Sequence, residues 1–299
     1  MENRLITKEE FKKRSFMEKM DTKFYELYQI SPDKQPKEGE KPGFGYKLKT
    51  FCLNFTVYEL LWMLVIIALT LVLSILLPEE DVVSETTGKV LASGVLITVL
   101  YFFDSVIGCF CELLFSKQNK WAFLIYDLVE VLEIVCMLLL RTRFASMAVS
   151  IFFWIPAHTA GFFEWRKYKD ERTYETTEVR RLKKWQTIVI MVGVVVLSAG
   201  LGYLMAQIDV DTSFYASSTI EKISAYVDAS LAIMSILDGI LVFFRSRESW
   251  WTWYIYVFVE TFFNILNGQW VLLAYKFGYL TNGLYGNYKW TKYIKKNEE

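Results

Sequence analysis

The chain has 299 residues, of which 54% are hydrophobic and 17% aromatic, and its mean hydropathy is +0.26. A soluble fold of that length would leave much of this apolar surface against water, so the composition excludes an ordinary globular protein and requires contact with lipid. Lys+Arg and Asp+Glu balance at 33 each, which leaves no basic field for nucleic acid, and one histidine with four cysteines lacking metal or redox spacing leaves no basis for a zinc centre or a cofactor.

The first fifty residues are polar. The opening run MENRLITKEEFKKR has no apolar core, so no cleavable signal peptide is expected. Residues 8–29 carry mixed helical periodicity that fits an amphipathic surface helix, and the Lys-, Pro- and Gly-rich stretch from Ser31 to Gly45 reads as a linker. A bilayer crossing needs roughly 20 apolar residues. That ruler finds eight segments, near 55–77, 90–115, 121–140, 144–165, 185–207, 223–244, 250–267 and 270–288.

Charge in the short loops sets the expected orientation. Lys41, Lys47 and Lys49, Lys117 and Lys120, the run from Arg166 to Lys184, Arg245 and Arg247, and Lys289 to Lys296 all fall on one side. The acidic loop Glu79 to Glu85 and the loop with Asp209 and Asp211 fall on the other. Only Arg141 and Arg143 break the pattern. The expectation is a multi-pass protein of the cell membrane with both termini cytoplasmic.

The two halves repeat. At an offset of 130, Ser116, Trp121, Ile125, Tyr126, Val129 and Glu130 meet Ser246, Trp251, Ile255, Tyr256, Val259 and Glu260; at an offset of 125, Gly161 and Trp165 meet Gly286 and Trp290. A three-helix unit reverses sides, so a second copy runs parallel to the first only if one helix links them. The expected fold is therefore an all-α integral membrane protein of about eight transmembrane helices: two parallel three-helix repeats joined by a linker helix (3+1+3), plus one extra N-terminal helix. The boundaries are a cytoplasmic segment 1–50, an extra helix within 51–82, a first repeat 89–168, a linker helix 185–208, a second repeat 222–290 and a cytoplasmic tail 291–299. Transporters built this way hold their substrate between the halves near the midplane.

Asp104, Asp127, Glu130, Glu133, Asp228, Asp238, Glu260 and Lys276 lie inside the spans. Each costs about 3 kcal/mol at the bilayer centre on insertion scales, so they are expected to line an interior or to pair. Trp253, Tyr256, Glu260, Asn264 and Asn267 recur at helical spacing, and Tyr126 or Asp127, with Glu130 and Glu133, gives a similar face in the first half. Such a stripe suits a flat heterocycle, and the acidic interior a cationic or hydroxyl-rich ligand, although aromatic residues in spans more often serve packing. His158, two residues after a helix-kinking Pro156, fits either a ligand contact or a helix-helix hydrogen bond. The candidate substrate-binding residues are Trp250, Trp253, Tyr256, Glu260, Asn264, Asp127, Glu130, Tyr126, His158 and Asp238, with no metal site and no catalytic group.

Asp228-Ala229, then Glu248-Ser249-Trp250-Trp251-Thr252-Trp253, Gly268, Tyr279, Gly286 and Trp290, together with Pro156, Gly161 and Trp165 and the run Tyr58 to Trp62, resemble the nicotinamide riboside transporter (PnuC) family over about residues 55–292. The departures fall on polar positions: Ser150, His158, Gly239 and Val257 stand where the family carries amides or acids, and Asp127 stands in place of an Asn. The resemblance implies facilitated diffusion of a vitamin precursor across the bilayer and a homo-oligomer, specifically a trimer. It names nicotinamide riboside or a related nucleoside as substrate, with thiamine, riboflavin and deoxynucleosides as alternatives. A proton-coupled carrier using Glu130, Glu260 and His158 is the rival within transport. Outside transport, a membrane enzyme or a non-transporting scaffold or sensor are the alternatives; no G-x-x-x-x-G-K-[ST] loop is present for ATP, and no enzyme activity is expected.

Overall fold

Among the described residues eight helices follow one another: α1 (Val57–Leu76), α2 (Gly94–Ser116), α3 (Trp121–Leu140), α4 (Phe144–Lys167), α5 (Lys184–Met205), α6 (Ser218–Phe243), α7 (Ser249–Leu266) and α8 (Trp270–Glu298). The structure, a computed structural model, describes residues 55–167, 184–208 and 210–298 together with Gly43, Val179 and Leu182. The surface helix expected in 1–50, the basic run from Lys169 to Arg181 with Lys183, and Asp209 lie outside the described residues. The chain divides into two compact units within α1, at Val65 and Ile66. In the first unit, Thr56 and Glu59 form a capping box, Thr56 N–H donating to Glu59 at 2.9 Å and Glu59 N–H to Thr56 Oγ1 at 3.2 Å. All packing described below concerns residues 66–299.

Five of the helices, α1, α2, α4, α5 and α6, are long and apolar enough to cross a membrane. The physical reason the others are more polar is their position. On α5 the valines and leucines, among them Val192, Val195, Val196 and Leu197, are exposed, as lipid-facing side chains must be. In α3, α7 and α8 the acids Glu130 and Glu260, the amides Asn264 and Asn282 and the amine of Lys276 are buried, because these helices turn toward the interior.

The halves interlock reciprocally. Helix α8, the third of the second half, lies along α2, the first of the first half; α4 packs against α6 in the same exchange. The hydrogen bonds repeat this swap. Trp290 Nε1 donates to the Phe115 carbonyl at 3.2 Å, and Trp165 Nε1 to the Val242 carbonyl at 3.0 Å. At the other end of the helices, Gln269 on the α7–α8 turn donates to the Tyr101 hydroxyl of α2, while Ser146 Oγ and Ala145 N–H, opening α4, donate to Asp228 of α6 at 2.5 and 3.0 Å. Helix α5 packs on α6 and carries the chain between the halves.

This geometry corrects the sequence register. Phe115 and Val242 are 127 residues apart, as are Tyr101 and Asp228. So are the left-handed pairs Gln118 with Arg245 and Arg141 with Gly268, at φ 58, 59, 55 and 68. The true offset of the first two helices is thus 127 rather than 130. A three-residue slip is nearly one helical turn and returns to almost the same face, so the chance identities of the wrong register still fell on the inward stripe. Gly161 with Gly286 and Trp165 with Trp290 keep the offset of 125. The first half is consequently two residues longer between the second-helix cap and this glycine.

That extra length falls where α4 departs from α-helical geometry. A π-helical turn runs over Ser150–Trp154, with Ile155 N–H bonded to the Ser150 carbonyl. A wide turn is how a helix takes up an inserted residue, and Pro156, which has no N–H to offer its preceding turn, lies just beyond it. One further departure from an all-helical chain is a small antiparallel hairpin between α1 and α2, β1 (Val82–Val83) on β2 (Val90–Ala92). Asp211 on the α5–α6 loop fastens to it, accepting from Ser84 Oγ at 2.7 Å and Thr86 N–H at 2.9 Å. Those bonds, and then Arg141, hold the Asp211 carboxyl well below the usual carboxylate range.

Two predictions test this packing. A Cβ built on Gly161 would sit 2.7 Å from the Phe123 ring, so Gly161→Ala should lower stability in detergent by about 1–3 kcal/mol, read by thermal unfolding. In the loop after α1, burial and then the neighbouring Glu80 push the Glu79 carboxyl up to about 7. The folded state then prefers the protonated acid, a preference without cost below the unfolded value near 4.5 that erodes stability as pH rises toward 7. Glu79→Gln should therefore raise the melting temperature at pH 8 and leave it little changed at pH 4.5.

Candidate functional site

A chamber opens between the halves. Its wall draws on both halves: Glu112 and Phe115 from α2, Tyr126, Glu130 and Glu133 from α3, Ser146, Ser150, Trp154 and His158 from α4, Ser235, Asp238 and Val242 from α6, Trp250, Trp253 and Tyr256 from α7, and Trp290 from α8. One end is closed by indoles. Trp290 meets Trp165 and Trp250 at ring-centre distances of 6.0 and 5.5 Å. At the other end stands Arg143, from the α3–α4 turn.

Seven of the ten residues singled out from sequence stand in this wall: Trp250, Trp253, Tyr256, Tyr126, Glu130, His158 and Asp238. Helical spacing explains why Trp250, Trp253 and Tyr256 share one face of α7, and the rings of Trp253 and Tyr256 stack with planes 3° apart and centres 5.1 Å apart. Asp238 accepts from Thr252 Oγ1 at 2.5 Å. His158 is buried, with Nδ1 2.9 Å from Asp127 and its ring 4.9 Å from Trp154. Asp127 therefore stands behind the wall as the partner of the histidine.

Glu260 and Asn264 lie outside the chamber lining. Glu260 is fully enclosed, paired with Lys276 and with Arg143 Nη1 at 3.3 Å; Lys276 also reaches the Tyr275 hydroxyl at 2.5 Å. Arg143 in turn has Nε 3.6 Å from Asp228 and its guanidinium 5.2 Å from the Phe263 ring centre. Asn264 is buried behind this cluster, and neither polar atom of its amide has a partner among the described residues. The two arginines that broke the loop-charge pattern are thereby accounted for. Arg143 is an interior charge, and Arg141 binds Asp211 at 3.1 Å.

Sequence reading missed several wall residues. Glu112 sits in an apolar run at the end of α2, where it passes for an interfacial charge, and is nevertheless buried. Ser146 and Ser235 carry no sequence signal beyond their places in apolar spans, while Ser150 and Ser249 were marked only by their places in the family pattern. Trp154 was legible only as part of the aromatic run around Pro156.

The wall has a definite chemistry. Four carboxyl groups, Glu112, Glu130, Glu133 and Asp238, face one guanidinium. Three buried atoms, Trp250 Nε1, Trp253 Nε1 and Glu130 Oε2, have no hydrogen-bond partner among the described residues. Unpaired buried polar atoms cost about 1–3 kcal/mol each unless something else satisfies them. Rings for stacking, indole donors for hydroxyl or carbonyl oxygens, and carboxyls for a cation are thus arranged around one space. Two parallel three-helix bundles enclosing such a chamber within a bilayer define a membrane transporter.

The comparisons agree. The sequence model described as "Nicotinamide mononucleotide transporter" matches residues 98–292, and the chain belongs to that family. It is similar to the nicotinamide riboside transporter PnuC of Neisseria mucosa, 22% identical over 277 residues, covering 87% of this chain and 91% of the relative. The nicotinamide riboside transporter PnuC of Haemophilus influenzae is 25% identical over 154 residues, 50% of this chain and 61% of the relative. The crystal structure of the vitamin B3 transporter PnuC superposes with a TM-score of 0.62 at 18% identity, covering 85% of this chain and 99% of that one, and shares the fold.

Arg143 should be the linchpin of the interior charges. Arg143→Met leaves Asp228 without a cation and Glu260 with Lys276 alone, and should cost about 3–5 kcal/mol of stability. Adding Asp228→Asn, which removes the carboxylate that Arg143 alone neutralises among the described residues, should recover part of that loss, a coupling measurable by a double-mutant cycle in detergent unfolding.

Proposed function

We propose that the chain carries nicotinamide riboside across the cell membrane by facilitated diffusion, the two bundles opening the chamber to each side in turn. The observation that carries this reading is the chamber's charge and ring content, four carboxyls and one guanidinium between aromatic walls, with two indole N–H groups unpartnered. A pyridinium ring is flat and cationic, so it gains from stacking and from the carboxyls together. Its ribose and carboxamide oxygens suit the indole donors, and its hydroxyls suit Glu130 Oε2.

The same charge balance selects the riboside over its phosphate ester. A phosphate charge about 4 Å from a carboxylate is opposed by about 4 kcal/mol at an effective dielectric of 20, and the wall offers only Arg143 as counter-charge, already engaged by Glu260 and Asp228. The loop charges favour cytoplasmic termini, and the likeness to PnuC proteins favours a homo-oligomer, a trimer, with no catalytic activity of its own.

Uptake of labelled nicotinamide riboside into cells expressing the chain tests the proposal. Uptake should persist with an uncoupler, nicotinamide mononucleotide should not compete, and Trp253→Ala or Glu130→Gln should weaken affinity at least tenfold. Saturable uptake of thiamine or riboflavin with none of nicotinamide riboside would reassign the substrate.

A further inference from the structure

A second cavity lies beyond Arg143, between the chamber and the turns that join α3 to α4 and α7 to α8. Glu133 and Arg143 line both spaces and form the partition between them. The second space has its own wall: Tyr101 and Asp104 from α2, Thr142 and Gln269 from the two turns, and Tyr275 from α8. None of these was singled out as a ligand contact from the sequence, and the chamber does not use them.

Three of its oxygen atoms are buried and unpartnered among the described residues: Asp104 Oδ1, Thr142 Oγ1 and Gln269 Oε1. Asp104, Thr142 and Gln269 are 4%, 1% and 3% exposed, so bulk water does not reach them freely. Gln269 cannot turn its oxygen elsewhere at no cost, because its amide nitrogen is committed to the Tyr101 hydroxyl. Each unsatisfied acceptor is expensive to hold in the membrane interior, and three facing one space call for a donor-bearing occupant.

Charge points the same way. Asp104 and Glu133 line this space with Arg143 as the cation, and Arg143 is already held by Glu260 and Asp228, while the nearby Lys276 is held by Glu260. Two carboxyl groups are left without a cation of their own. The tyrosine rings supply flat apolar wall, so the chemistry of the chamber is reproduced at smaller scale.

We propose that the second cavity is a separate binding station for a compact aromatic cation bearing an amide or similar hydrogen-bond donor. It rests on the reading of the chamber as a site for a pyridinium nucleoside, and it makes the station the place where that solute's ring halts before crossing the Glu133–Arg143 partition. Thr142 and Gln269, on the turns at the ends of the helices, are then the residues an entering or leaving solute meets before the chamber.

Calorimetric titration of the full-length purified protein with 1-methyl-3-carbamoylpyridinium, a cation of the ring without the ribose, tests this. Two equivalents should bind the wild type. Thr142→Val with Gln269→Leu should remove one and spare the other, and should lower initial uptake of nicotinamide riboside at low concentration at least fivefold with its equilibrium affinity within twofold. Trp253→Ala with Glu130→Gln should remove the complementary equivalent. If the double turn variant does not fold, Thr142→Val alone, nearly isosteric, should still weaken one equivalent at least threefold. A single equivalent that only the chamber variants abolish, or unchanged binding in the turn variants, overturns the station and leaves the chamber standing; no binding at all overturns both.

Discussion

An ionised side chain in hydrocarbon must find a partner inside the protein, and the arrangement of this molecule follows from that constraint. Arg143 reaches Glu260 and Asp228, Lys276 reaches Glu260, and the three helices α6, α7 and α8 are tied together with the α3–α4 turn. Charges that would expel each helix from the bilayer separately become a reason for the helices to associate. The chamber lies just beside this cluster, where the remaining carboxyls have no protein cation left to meet.

Duplication gives the framework its shape and divergence gives the chamber its character. Each half sends its third helix across to the first helix of the other, with an indole bond at one end and a polar bond at the opposite end. In the corrected register Glu260 stands opposite Glu133, and Glu130 opposite Val257. One member of the first pair has become a structural ion-pair residue, while the other lines both cavities. The π turn in α4 has no counterpart in α8, and it sets Ser150 and Trp154 on the chamber wall in the first half only.

The hydrophobic ruler located the ends of the eight described helices to within about five residues, save that α8 runs ten residues past its expected end to Glu298, where the sequence is polar. An apolar run of bilayer length is local in sequence, and a helix that continues beyond it is not marked by apolarity. The aromatic stripe of α7 was legible for the same reason, since helical periodicity fixes which side chains share a face. Three things escaped. The register of the repeat was misread by nearly a turn, a slip that preserves the face and so leaves the apolar pattern unchanged. The hairpin between α1 and α2 is held by Asp211, a residue more than a hundred positions away, and two- and three-residue strands carry no period to detect. Glu112, lying near a helix end, carries no local mark that separates a buried acid from an interfacial one.

By itself the sequence determined a duplicated bundle of eight helices in a membrane, with rings and acids on inward faces, because apolar length and period are properties of neighbouring residues. Only the tertiary structure decided which acids are spent on cations and which face open space. Glu260 and Glu130 are indistinguishable as buried glutamates in a line of letters; Arg143, folded in from a turn, makes the first a strut and leaves the second beside the chamber. That choice depends on distances between helices, which no local pattern encodes.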